Sequence, residues 1–248
     1  MGFKIAGKVV LVTGANRGLG RALVEEAIRQ GARKVYASAR SKASIDPLVR
    51  AHPGKVVALE LDVTDAGEIR AAAVAAKDVE LVINNAGIVE LLGAELGSAE
   101  WGAAGRREME VNLFGPLEVT QAFAPVLGAN GGGALANVSS VAGLANFPSL
   151  LSYSASKAAL HSLTQATRIL LKGQGTYVAG IYPGPVDTDM GRPLQMEKAA
   201  PADVAREIFA GLEAGAEEIF PDPVARQLGE GYLAAPKEIE RAVAAMAG

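Results

Sequence analysis

Cysteine is absent from the 248 residues of this chain. That absence removes a disulfide scaffold, thiol catalysis and thiolate metal sites together. His52 and His161 are the only histidines, too few for a histidine-based metal cluster, so no metal site is expected. A net charge of −3 is not the basic excess of a nucleic-acid binder. No apolar run approaches the ~18 residues of a membrane span. The opening Met1-Gly2-Phe3-Lys4-Ile5-Ala6-Gly7-Lys8 also lacks the apolar stretch of a signal peptide. No internal repeat and no long linker interrupts the chain. These absences point to a soluble, cytoplasmic protein whose partner is a small molecule, with no nucleic acid and no membrane involved. A chain of this length can bury roughly 70–75% of its unfolded surface, so the core needs no covalent staple.

What is present is an alternation. Apolar runs at 8–13, 34–39, 55–61, 79–84, 134–139, 176–181 and 217–220 are mostly continuous, which suits strands covered on both faces. Between them lie helical patterns such as 18–30, 65–77, 99–127 and 152–171, rich in Ala, Leu and Glu. The fold class is therefore α/β. We expect one domain over 1–248, a doubly wound, Rossmann-type parallel sheet of about seven strands with helices on both faces. Gly115-Pro116 and Pro125 predict a kink or break in the 99–127 segment, and Gly131-Gly132-Gly133 a turn at its end.

The first strand runs into Thr13-Gly14-Ala15-Asn16-Arg17-Gly18-Leu19-Gly20, and a helix follows. Its spacing is G-x-x-x-G-x-G. Such a turn lets the backbone approach a pyrophosphate, which the free N–H groups of the helix N-terminus bind. Gly14, Asn16, Arg17, Gly18, Leu19 and Gly20 are the candidate contacts. The second strand ends Ala37-Ser38-Ala39-Arg40, with an arginine and no acid. An acid there would bind a ribose 2′-OH, whereas a basic residue accepts a 2′-phosphate, so Arg40 and Arg17 favour NADP(H) over NAD(H). Asp62 and Val63, at the end of the third strand, are placed to reach the adenine. Asp62 has a structural alternative as a helix N-cap, for which Asp65 is the better candidate.

Tyr153 stands four residues before Lys157 in Ser152-Tyr153-Ser154-Ala155-Ser156-Lys157. On a helix that step stacks the two side chains on one face. A nearby ammonium favours the phenolate, and bringing a phenol from ~10 to ~7 takes roughly 4 kcal/mol. The expectation is that Lys157 lowers the pKa of Tyr153.

With the glycine turn, Asn84-Asn85-Ala86-Gly87 and Tyr153-x-x-x-Lys157 in order, the chain resembles the short-chain dehydrogenase/reductase family over residues 7–190. The resemblance implies a ketone or aldehyde interconverted with an alcohol by hydride transfer, in the manner of a carbonyl reductase or alcohol dehydrogenase. Asn85, Ala86 and Gly87 match the segment beside the adenosine of the cofactor. Asn112 matches the helix asparagine that holds a water in the proton relay. Ser140, thirteen residues before Tyr153, matches the serine that hydrogen-bonds the carbonyl, while Ser139 misses that spacing and is structural. Pro183, Gly184, Val186 and Thr188 match the segment that holds the nicotinamide carboxamide. Tyr153 is then the general acid in reduction and the base in oxidation, and Lys157 also bonds the nicotinamide ribose. Asn84 reads as a buried structural amide.

Val141, Ala142, Leu144, Ala145 and Phe147 are mostly apolar and uncharged, which favours an uncharged or hydrophobic substrate. A substrate loop around 189–200, carrying Met190, Arg192, Met196 and Lys198, is either a flexible lid or a greeting for an anion. Two alternatives stay open: a non-catalytic NADPH-binding regulator and an epimerase, both on the same fold. Ile219-Phe220-Pro221-Asp222-Pro223 and a helical tail to Gly248 replace the Asp-Gly-Gly turn of many tetrameric relatives. A homo-oligomer, dimer or tetramer, is compatible with the chain, as is a monomer.

Overall fold

The structure is a computed structural model that describes residues 2–90, 100–238, 241 and 243. β1 (Val9–Val12), β2 (Lys34–Ala39), β3 (Val56–Glu60), β4 (Leu81–Asn84), β5 (Ala134–Val138), β6 (Tyr177–Ile181) and β7 (Glu218–Ile219) form one parallel sheet. Its order is β3-β2-β1-β4-β5-β6-β7. Every residue of β1, β4 and β5 is buried, which is why those runs are continuously apolar. β3 lies at the edge and alternates instead, with Val57 turned outward.

Successive residues of a strand point to opposite faces, and β1 divides accordingly. Val10 and Val12 join Leu23, Ala27, Val204, Ile208 and Phe209 in one core, under α1 (Gly18–Arg29) and α7 (Pro201–Ala214). Val9 and Leu11 join Ile69, Val119, Phe123 and Leu127 in the other, under α3 (Ala66–Ala75) and α5 (Gly115–Ala129). Fully burying one such side chain contributes about 1.5–3 kcal/mol. The short helix α2 (Asp46–Ala51) has too brief a pattern to be foreseen. α4 (Glu100–Met109), α6 (Leu151–Leu171) and α8 (Pro223–Ala234) complete the fold. Among the described residues no helix is long and apolar enough to cross a membrane.

The expected break in 99–127 takes a specific form. α4 widens into a π-turn over Glu110–Phe114 and passes directly into α5. Gly115 sits where a Cβ would lie 2.8 Å from Val63 Cγ2, so only glycine lets α5 come this close to the end of β3. Pro116 falls in the first turn of α5, directly after the π-turn. The helix continues through Pro125. Ala99 and the last residues of the tail lie outside the described residues. Gly131, Gly132 and Gly133 all take positive φ, making the foreseen turn.

Candidate functional site

The strand order reverses between β1 and β4, and a crevice opens at the C-terminal ends of the strands there. Asn85 stitches the two loops at this point. Its Nδ2 donates to the carbonyls of Thr13, at 2.8 Å, and Gly14, at 3.2 Å. In return Thr13 Oγ1 accepts from the N–H groups of Asn85 and Ala86, at 2.9 and 3.0 Å. Gly14 is left-handed at φ +64, and a Cβ on it would lie 2.9 Å from Ala86 Cα. A Cβ on Gly20 would lie 2.2 Å from the Gly14 carbonyl. The turn is thus closed against its own helix, and the first turn of α1, through Gly18, Leu19 and Gly20, carries no side-chain cap.

Asn16 and Arg17 are exposed at the tip of the turn, and Arg40 is exposed at the end of β2. The Ala15 N–H bonds the Ser38 carbonyl at 2.8 Å, which ties the turn to β2. Arg17 is not directed to Arg40, because its Nη1 donates to Asp189 Oδ2 at 3.2 Å. Asp189 also takes Arg192, so two guanidinium groups share one carboxylate. Asp62 Oδ1 accepts from Thr64 N and Thr64 Oγ1, and Asp65 caps α3 through Gly67 N and Glu68 N. The cap is therefore Asp65, as its sequence position suggested. Val63 is buried and packs on Gly115.

At the other end of the crevice α6 presents Tyr153 and Lys157 one turn apart, with Lys157 Nζ 5.7 Å from the centre of the Tyr153 ring. Lys157 is 4% exposed, and its Nζ donates to the Val138 carbonyl at 2.9 Å. A Cβ on Gly87 would stand 3.1 Å from Asn112 Oδ1 and 3.4 Å from Lys157 Nζ, so these three residues meet. Asn112 is fully buried. Its Oδ1 accepts from Ile88 N, and its Nδ2 donates to Ile88 O and to Ser156 Oγ, all within 2.9–3.0 Å. Ser156 Oγ in turn donates to the Tyr153 carbonyl at 2.7 Å. Both amide hydrogens of Asn112 are thus committed to protein partners. Ser139 Oγ donates to the Lys157 carbonyl at 3.0 Å, a structural tie. Ser140 Oγ accepts from Ala142 N at 3.1 Å and faces the Pro183 carbonyl at 3.4 Å. Asn84 is a buried amide that donates to Asn137 Oδ1 at 2.9 Å, away from this cluster's proton-bearing groups.

The electrostatics correct one expectation. Burial pushes the Tyr153 phenol up to about 12, with the Ser140 hydroxyl pulling it down and Glu108 adding to the rise. Burial also lowers Lys157 to about 8. Loss of hydration penalises phenolate and ammonium alike, and it is the largest cause of the shift at both residues. The four-residue step placed the charge correctly but carries no information about depth.

Pro183 O accepts from Val141 N at 3.1 Å, which joins the ends of β5 and β6. Gly184 N donates to Asp222 Oδ2 at 2.8 Å, while Asp222 Oδ1 accepts from Ala225 N at 2.9 Å and caps α8. Asp222 is buried and braces the 183–188 segment. The sequence reading did not assign it, although Asp-Pro at a helix start is a recognisable signal. Val186 bridges to Ala199, with Asp187 N to Ala199 O and Ala199 N to Pro185 O both at 2.9 Å. The loop that follows therefore leaves and returns at a closed base. Thr188 lies over the start of α1, 3.1 Å from where a Gly18 Cβ would be. Leu144 and Ala145 line a cavity of about 350 Å³ with Asn146, Pro236 and Lys237.

Residues 8–199 match the family model described as short chain dehydrogenase. A 3-oxoacyl-(acyl-carrier-protein) reductase of Thermotoga maritima is 33% identical over 211 residues, covering 82% of this chain and 83% of its own length. A short chain dehydrogenase from Burkholderia cenocepacia, solved in complex with NADP, superposes with a TM-score of 0.90 at 38% identity, over 97% of this chain and 99% of that one. Another from Burkholderia phymatum, solved with NAD, gives a TM-score of 0.80 at 27% identity, over 94% and 96%.

Proposed function

The chain belongs to the short chain dehydrogenase family, and from that premise we propose that it is an NADP(H)-dependent oxidoreductase interconverting a ketone or aldehyde and an alcohol. The observation that carries this reading is the meeting of Gly87, Asn112 and Lys157 beside Tyr153, at the crevice the glycine turn opens onto. A turn closed by Gly14 and Gly20, with an uncapped helix start, fits a dinucleotide pyrophosphate.

Gly14, Asn16, Gly18, Leu19 and Gly20 would hold the pyrophosphate, and Asp62, Val63, Asn85, Ala86 and Gly87 the adenosine. Arg40 and Arg17 would hold a 2′-phosphate, Lys157 the ribose, and Pro183, Gly184, Val186 and Thr188 the carboxamide. When bound, the nicotinamide supplies or takes up the hydride. Ser140 donates a hydrogen bond to the substrate oxygen where negative charge develops. Tyr153 gives its proton to that oxygen in reduction and recovers it in oxidation. A phenol held at about 12 is protonated at neutral pH, so the acid role is already loaded. Apolar residues around Leu144 and Ala145 suit an uncharged or hydrophobic substrate.

The NADP-bound and NAD-bound relatives leave both cofactors in play for the family, and the absence of an acid at Arg40 supports NADP(H) here. The test is absorbance at 340 nm with NADPH and, in parallel, NADH, against a panel of ketones and aldehydes. Turnover with NADPH preferred is the expected result. Tight NADPH binding with no turnover on any panel member would overturn it.

A further inference from the structure

His161 lies on α6 one turn beyond Lys157 and is buried. Its Nδ1 stands 2.6 Å from the hydroxyl of Tyr182, a residue 1% exposed that directly follows β6. A Cβ at position 180 would lie 2.3 Å from that hydroxyl, so Gly180 is what lets the phenol lie back over its own strand and meet α6. Two more rings enclose the pair. Phe220 lies 5.5 Å from Tyr182 between ring centres, and Tyr232 of α8 meets His161 edge-on at 6.2 Å.

The chemistry of the two groups fixes the direction of the bond. Burial pushes the Tyr182 phenol up, so it keeps its proton at neutral pH, and a buried O–H needs an acceptor. Among the described residues its one hydrogen-bond partner is His161 Nδ1. Nδ1 therefore accepts, and the neutral imidazole carries its hydrogen on Nε2. The Gln165 side-chain amide, 3.1 Å from Nε2, takes that hydrogen when its oxygen faces the ring. Protonating the ring would place a hydrogen on Nδ1 and leave the Tyr182 O–H without an acceptor. Among the described residues the other titratable or charged groups around the ring are Tyr232 on α8, Glu218 on β7 and Arg168 on α6. Arg168 is engaged by the Val178 and Glu217 carbonyls, and Lys157 Nζ by the Val138 carbonyl. Burial holds His161 below its usual range, so the accepting form prevails at neutral pH.

The pair closes a circuit around the 183–188 segment. Tyr182 leads into Pro183 and Gly184, Gly184 N donates to Asp222, Asp222 caps α8, and Tyr232 of α8 returns to His161. We propose that His161 and Tyr182 are positioning residues for the nicotinamide half of the cofactor: the imidazole, by accepting from the phenol, sets the 183–188 segment against α6. The inference rests on the reading that Lys157 holds the ribose and the 183–188 segment the carboxamide. The adenosine contacts of that reading, on the loops after β3 and β4, lie outside the circuit.

Tyr182→Phe removes only the hydroxyl, His161→Leu removes the acceptor, and His161→Asn offers an acceptor that does not titrate. Calorimetry on the full chain measures affinity for NADP+ and for adenosine 2′,5′-bisphosphate, which lacks the nicotinamide half. Near neutral pH, Tyr182→Phe and His161→Leu should weaken NADP+ by about three- to tenfold and leave the bisphosphate unchanged. His161→Asn should recover most of that loss. As pH falls below about 6.5, the advantage of wild type over Tyr182→Phe should narrow, whereas that of His161→Asn over His161→Leu should persist. Ratios between variants cancel the titration of the 2′-phosphate. Nitrogen NMR of the wild type, where His52 and His161 are the only imidazoles, should show His161 Nδ1 unprotonated at neutral pH. A protonated Nδ1 overturns the proposal whether or not any variant folds. Unchanged NADP+ affinity in Tyr182→Phe overturns it too, as does an equal loss for both ligands, which marks a general role in the fold. Wild-type protein that binds neither ligand sinks the cofactor reading itself and this inference with it.

Discussion

Arg17, in the glycine turn, reaches Asp189 at the start of the 189–200 loop, 3.2 Å away and 172 positions along the chain. Both side chains are largely exposed, so the pair contributes at most about 1 kcal/mol. If Arg17 also serves a 2′-phosphate, Asp189 competes with it. Asp189→Asn should lower the KM for NADPH by up to about fivefold and leave that for NADH unchanged. The difference should shrink at high salt. Steady-state kinetics with both cofactors at two ionic strengths check this, and equal effects on both would refute the competition.

Lys157 is costly to the fold. Its drop from 10.5 to about 8 corresponds to roughly 3 kcal/mol against the folded protein at neutral pH. Losing its bond to the Val138 carbonyl returns about 1–2 kcal/mol of that. Lys157→Met should therefore stabilise the cofactor-free protein by about 1–2 kcal/mol while abolishing turnover. The unfolded chain binds more protons than the folded one between pH 8 and about 10.5, so wild-type stability from this group rises with pH across that window. The advantage of the variant should be full below pH 8, disappear between about pH 9 and 10, and become a deficit of about 1–2 kcal/mol above about 10.5, where only the lost Val138 bond remains. Denaturant melts at pH 7 and pH 10 measure both points.

Tyr153→Phe removes the proton but little volume. Turnover should fall by a factor of about 10² to 10⁴, with NADPH affinity nearly intact. Fluorescence titration of NADPH beside the 340 nm assay separates the two quantities. Near-wild-type turnover would end the assignment of this residue.

Asp222 serves two N–H groups, those of Gly184 and Ala225. Asp222→Ala leaves both without it and should cost about 2–4 kcal/mol, summing a cap and a charge-assisted bond. Asp222→Asn, which keeps an acceptor, should recover part of this. If Gly184 holds the carboxamide as proposed, KM for the cofactor should rise in both. A loss of stability with cofactor KM unmoved would confine Asp222 to the fold.

Much of this architecture was readable from residue order. Continuous apolar runs gave away strands covered on both faces, and Asp65 outranked Asp62 as a cap because it opens the helical pattern of 65–77. The thirteen-residue spacing set Ser140 apart from Ser139, and in the structure both hydroxyls bond main chain, Ser139 at Lys157 and Ser140 at Pro183 and Ala142. What was not legible depends on three-dimensional surroundings. The pKa of Tyr153 moves opposite to the expectation because spacing records neighbours along a helix and not their desolvation. The partner of Arg17 comes from a segment too distant for any local pattern. The form of the break, a π-turn over Glu110–Phe114 followed by Gly115 against Val63, is one that proline and glycine positions could only announce as an interruption.

The hydrogen-bonded base that Pro185 and Asp187 form with Ala199 has an evolutionary consequence. Chain enters and leaves the intervening excursion at a single clasp, and α7 begins immediately beyond it. Insertions, deletions or wholesale exchange between those clasped residues leave the register of the sheet untouched. If that excursion lines the substrate pocket, as its sequence position predicts, substrate range can drift there, or be grafted from another member, while the sheet and its crevice stay as inherited.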